Sequence, residues 1–187
     1  ALAGVPEAAY AMGLCARSGR GTRREPGDAF RWFSLGADKS AQHIQCTFEK
    51  ACCLFDGEGT IRDRRAAVAL FGETVRLWEA RRALPPPDTV YEANGGLVPS
   101  DGLTADEAAA EAMFRLGFCT LYGIGTGQAD TAAGVAWLTR AAEAGHACTG
   151  ENCPVCLQLS LCRRTAEAAL CIVSALLPAA LLLSGAQ

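Results

Sequence analysis

The sequence predicts an all-α solenoid: three stacked helix-turn-helix repeats followed by an apolar C-terminal helix. Three observations predict it. One motif recurs in fixed register, glycine pairs punctuate it where a helix must end, and the composition suits helices. The 187 residues are half apolar and only 7% aromatic, with abundant alanine and few β-branched residues outside short runs. Alanine is the strongest helix former, and β-branched and aromatic residues favour strands. A length of 187 residues allows one domain or one repeat array.

The first repeat occupies residues 1–40. It runs through Ala8-Ala9-Tyr10-Ala11-Met12-Gly13, then Gly19-Arg20-Gly21, then Asp28-Ala29-Phe30-Arg31-Trp32-Phe33. The second, residues 41–79, carries Phe48-Glu49-Lys50-Ala51, Gly57-Glu58-Gly59, Asp63, Ala67 and Leu70-Phe71. The third, residues 105–147, carries Ala112-Met113-Phe114-Arg115-Leu116-Gly117, Gly123-Ile124-Gly125, Trp137-Leu138 and Ala141 to Ala147. Gly21 and Gly59 are 38 residues apart, as are Trp32 and Leu70. Three residues before Gly13, Ala51 and Gly117 stand Tyr10, Phe48 and Phe114, and two residues after stand Cys15, Cys53 and Cys119. Each repeat reads as two helices, the first closed by a G-x-G element, because glycine tolerates the left-handed conformation at a helix end. Such pairs cannot bury their apolar faces alone and therefore stack. The three aromatics read as packing residues of that stack.

This pattern resembles the Sel-1-like repeat, a relative of the tetratricopeptide repeat. The third repeat is most similar, through Leu116-Gly117, Gly123-Ile124-Gly125 and Trp137 to Ala147, with one extra residue between Gly125 and Trp137. The first keeps Met12-Gly13, Gly19, Gly21, Ala29 and Trp32-Phe33, with Glu25 where the signature has Asp. The second departs furthest, with Lys50-Ala51 in place of Leu-Gly. The resemblance implies a tetratricopeptide-like helical scaffold for protein binding. Members of the family often serve signalling assemblies and membrane-associated protein quality control.

Gly59 and Gly125 are 66 residues apart rather than 38, so a segment is inserted, read as residues 80–104. Pro85-Pro86-Pro87, Asn94-Gly95-Gly96 and Pro99-Ser100-Asp101-Gly102 are loop chemistry. A loop this long in a compact array is either a binding element or disordered, and the sparse anchors Val90, Tyr91, Leu97 and Val98 favour disorder.

Residues 148–187 read as a cysteine-containing linker and an apolar helical tail. The ten cysteines are too sparse for a disulfide scaffold, and no signal peptide is visible. Reduced thiols in a cytosolic-type compartment are the favoured reading. The chain begins at Ala1 rather than Met, which reads as a fragment or a processed product. Cys148, Cys153, Cys156 and Cys162 have the donor type for one tetrahedral zinc site, but spacing alone is a weak warrant. Residues 168–183 carry no charge. As a helix they span about 24 Å at about 1.5 Å per residue, short of the roughly 30 Å hydrocarbon core. A buried capping helix, a membrane anchor reaching to residue 187 and a non-native end remain alternatives.

The near balance of 17 basic and 20 acidic side chains argues against nucleic acid as a partner. With only two histidines, acid–base and metal chemistry is poorly supplied. No phosphate loop, nucleophile elbow or H-E-x-x-H motif is present, so the reading is not an enzyme and needs no cofactor beyond the zinc alternative. The expected role is an adaptor or scaffold that binds another protein or peptide on the repeat surface. A membrane-anchored component of a quality-control or signalling complex, or a cysteine-dependent zinc protein, stand as alternatives. At about 100° per residue, the side of the first helices opposite their buried signature positions carries Leu14, then Cys52, then Arg115, Phe118 and Tyr122. Leu14, Cys52 and Phe118 are equivalent and would form an apolar stripe; either it binds a partner, which makes these five residues the expected partner-binding set, or the C-terminal tail or a neighbouring helix covers it.

Overall fold

The computed structural model describes residues 6–38, 42–84 and 102–145. Six helices follow in order: α1 Pro6–Ser18, α2 Pro26–Gly36, α3 Ile44–Asp56, α4 Arg64–Arg82, α5 Ala105–Tyr122 and α6 Thr131–Glu143. They pair as α1/α2, α3/α4 and α5/α6. Across repeats, α3 packs on α2 and α5 packs on α4, while α1, α3 and α5 touch one another as a layer of first helices. The all-α array of three helix pairs is therefore as expected.

The glycine pairs do what the sequence requires of them. Gly57 and Gly123 cap α3 and α5 in the left-handed conformation, at φ 78° and 68°, and each donates its N–H to the carbonyl four residues back. The turn then closes alike in all three repeats. Glu25, Asp63 and Asp130 each donate a backbone N–H to Ala16, Leu54 and Thr120, at 2.8–2.9 Å. Each of these donors is the N-cap of the second helix of its repeat.

Apolar burial holds the pairs together. Tyr10, Leu14 and Phe33 form one cluster with Cys46 and Cys53. Phe48, Phe71, Val75, Trp78, Met113 and Leu116 form another that joins the second and third repeats. Gly13 explains how closely α1 and α2 approach, because a Cβ there would lie 2.3 Å from the Phe33 ring. Of the three aligned aromatics, Tyr10 and Phe48 are buried, and Phe114 is partly buried against the core.

Two sequence expectations change. The inserted segment is shorter than residues 80–104. The helix α4 continues to Arg82, with Arg81 and Arg82 in its last turn, where cations offset the helix dipole. At the other end Thr104 caps α5 and forms a reciprocal capping box with Glu107. Residues 85–101, which carry the binding-or-disorder question, lie outside the described residues.

The second change concerns the apolar C-terminal helix and its membrane-anchor reading. Among the described residues, no helix is long and apolar enough to cross a membrane, and the described array ends on α6. Among the described residues the fold is corrected to an all-α solenoid of three helix pairs, none of them membrane-spanning. Residues 168–187, on which the expectation fell, lie outside the described residues.

The N-caps differ in one informative way. The carboxylates of Asp63 and Asp130 accept from the third residue of their helices, whereas Glu25 makes no side-chain cap bond. The longer glutamate side chain does not fold back onto its own helix, and its carboxylate meets Arg23 instead in an exposed pair of little worth. Glu25→Asp should therefore raise stability by about 0.5–1 kcal/mol, read as a higher urea midpoint at unchanged slope. An unchanged midpoint would show that the cap is not limiting there.

Candidate partner-binding groove

Because α1, α3 and α5 lie side by side, a groove of about 460 Å³ opens between them. From α1 comes Arg17. From α3 come Phe48, Glu49, Cys52, Cys53 and Asp56, with Glu58 in the following turn. Leu103 and the α5 residues Glu107, Glu111 and Arg115 close the other side. Every repeat contributes, so the groove exists only in the stacked array.

The five expected partner-binding residues divide. Cys52 and Arg115 line the groove. Phe118 and Tyr122 continue the α5 face beyond Arg115, since residues three and four apart share a helix face. Their rings meet in a tilted pair, 4.8 Å between centroids and 55° between planes, and they are 38% and 56% exposed. Leu14 differs: expected on the surface, it is only 2% exposed. The chain entering α5 covers it. A Cβ on Gly102 would sit 3.1 Å from Leu14 Cδ1 and 2.9 Å from the Tyr10 ring. Leu103 N–H donates to the Tyr10 hydroxyl at 2.7 Å. The expected apolar stripe is thus interrupted, and Leu103 supplies apolar surface from a segment that helical periodicity could not place.

Sequence reasoning also missed the ion pair under the groove. Both Arg17 terminal nitrogens donate to Glu49, one of them at 3.2 Å, and the Glu49 side chain is 6% exposed. Burial works against the Arg17 charge, but the Glu49 hydrogen bond and field raise its pKa on balance. The pair ties α1 to α3. On the far side Arg115 faces Glu111 at 3.5 Å and lies over the Phe71 ring. Glu58 receives Arg24 at 2.9 Å, linking the first and second repeats.

The thiols here are structural. Burial pushes the Cys53 pKa up to about 12, with the Glu49 carboxylate adding to it, and pushes Cys52 up as well. Burial raises Cys119 to about 11. A thiol held protonated is a poor nucleophile and a poor metal ligand, so these cysteines pack as small apolar residues. The five described cysteines are free, and no metal-binding group of three or more His, Cys, Asp or Glu side chains occurs among the described residues. The candidate zinc ligands Cys148, Cys153, Cys156 and Cys162 lie outside the described residues.

Comparison with known proteins follows this geometry. The family model for the Sel1 repeat matches residues 6–40, 48–73 and 110–146, more than half of the chain. A search of curated proteins finds no match. Among solved structures, the Sel1 repeat protein from Oxalobacter formigenes is 20% identical with a TM-score of 0.54, over 75% of this chain and 43% of that one. A protective antigen from uropathogenic Escherichia coli strains, displaying an SLR fold, is 17% identical with a TM-score of 0.37, over 76% of this chain and 31% of that one. At 20% identity the likeness to the Oxalobacter formigenes protein is one of fold alone. The chain spans less than half the length of either structure.

Two measurements test the groove's construction. Breaking the largely buried pair with Arg17→Met should cost about 1–3 kcal/mol, below the range for full burial because Arg17 is partly exposed. Adding Glu49→Met should recover most of it; additive losses would show that the two groups are not coupled. The second concerns pH. The folded Cys119 value lies above its ordinary 9.0, so its contribution is complete below about pH 9 and is lost as pH rises toward 11. Denaturation between about pH 8 and 10.5 should show stability falling, with a shallower fall in Cys119→Ala. Equal slopes would exclude Cys119 as a source.

Proposed function

Because the chain belongs to the Sel1 repeat family, whose helical repeats serve as protein-interaction scaffolds, we propose that it is an adaptor that binds a partner protein or peptide in the groove between its first helices. The observation that carries this reading is the groove's composition. It offers partly exposed apolar surface at Leu103 and Cys52, and the exposed Phe118–Tyr122 ring pair continues the α5 face beyond Arg115. Aromatic anchors beside a depression, rimmed by charge, are the usual anatomy of a recognition surface. The volume of about 460 Å³ suits one or two partner side chains rather than a whole helix.

In this reading Phe118 and Tyr122 provide the contact area, Arg115 and Cys52 line the groove beside them, and Leu103 takes the place expected of Leu14. The experiment is selection of displayed random peptides on the immobilised full chain, followed by affinity measurements on recovered peptides. Phe118→Glu and Tyr122→Glu should each weaken binding about ten-fold or more. Leu35→Glu, at an exposed position on α2 outside the groove, should change it less than about two-fold. The reverse pattern would move the interaction to the layer of second helices.

A further inference from the structure

We propose that the groove's occupant is a peptide segment that presents a lysine or arginine beside an apolar residue. This inference rests on the adaptor reading and adds the chemistry of its partner. The lining holds five carboxylates against two guanidinium groups. Arg17 is bound by Glu49 through both terminal nitrogens, whereas Arg115 faces Glu111 at 3.5 Å with no hydrogen bond from its Nε. The excess of carboxylates over guanidinium groups sets the sign of the groove. Arg24, at the edge, is held by Glu58.

What remains is negative. Asp56 is exposed at the end of α3, where its backbone carbonyl accepts from Arg62. Glu107 accepts from Thr104 at the start of α5, on the opposite side of the groove. An incoming cation gains from both sides of the groove, and an incoming anion is repelled by both. The ring faces of Phe118 and Tyr122 add to the attraction, since aromatic faces draw cations. The apolar half of the occupant follows from Leu103, partly exposed beside the groove's carboxylates, which a purely ionic ligand would leave wet.

The test uses the full chain and three labelled twelve-residue peptides in a Gln/Ala host, with a central Leu-Arg, Leu-Glu or Ala-Arg pair, read by fluorescence anisotropy. The Leu-Arg peptide should bind, with each of the others about ten-fold weaker. Its affinity should drop several-fold between about 50 mM and 500 mM salt. Asp56→Lys should weaken it about ten-fold, while Glu143→Lys on α6 should leave it within about two-fold. Circular dichroism of each variant checks that the helices are retained. Equal binding of Leu-Arg and Leu-Glu, or indifference to Asp56→Lys, would overturn the inference. If an uncharged or acidic peptide binds instead and is lost in Phe118→Glu, the charge argument fails while the adaptor reading stands. If none of the three binds, the inference fails, and the display selection decides the adaptor reading separately.

Discussion

Two turn glycines set how the repeats meet. A Cβ on Gly59 would lie 2.0 Å from the Pro26 carbonyl oxygen, at the start of α2. A Cβ on Gly125 would lie 2.6 Å from the Arg64 carbonyl oxygen, at the equivalent place on α4. In both, the turn after a first helix sits directly on the backbone that opens the second helix of the preceding repeat. Backbone against backbone leaves no room for adjustment by rotamers, so the spacing of neighbouring repeats is fixed there. The alignment of α1, α3 and α5 follows from that spacing, and the groove follows from the alignment.

Much of this was legible in the sequence because it is periodic. The G-x-G elements, the 38-residue register and the Asp positions at the second-helix starts each have a local physical cause, so they predict helix ends and helix pairing. Helical periodicity also placed Cys52, Arg115, Phe118 and Tyr122 on one side. It failed at Leu14, because Gly102 and Leu103 come from far along the chain and cover that position. No wheel drawn on one helix contains that information. The Arg17–Glu49 pair was hidden for the same reason, as its partners belong to different repeats. The end of the inserted segment was within reach, since Thr104 followed by Glu107 is a capping-box signature.

The groove's charge distribution has an internal logic. Arg17 and Glu49 largely neutralise each other where burial is deepest, which keeps an unpaired charge out of the low-dielectric floor. Negative charge is left at the rim instead, on groups that water still reaches. Rim charges contribute little to stability but strongly influence which partner approaches. The molecule thus separates the electrostatics that hold α1 to α3 from those that face outward.

The hydrogen bond between Leu103 and Tyr10 joins residues 93 positions apart and ties the first repeat to the chain that enters the third. In a simple solenoid each repeat senses only its neighbours, so unfolding can start at either end and proceed repeat by repeat. Here the two ends of the array share a contact. Fraying of the first repeat would expose Leu14 and Tyr10 and at once remove support from the start of α5. Closing so long a loop costs entropy and slows assembly, but the cost grows only weakly with length. The return is a link that a row of separable blocks lacks: loosening one end of the array withdraws a contact from the other.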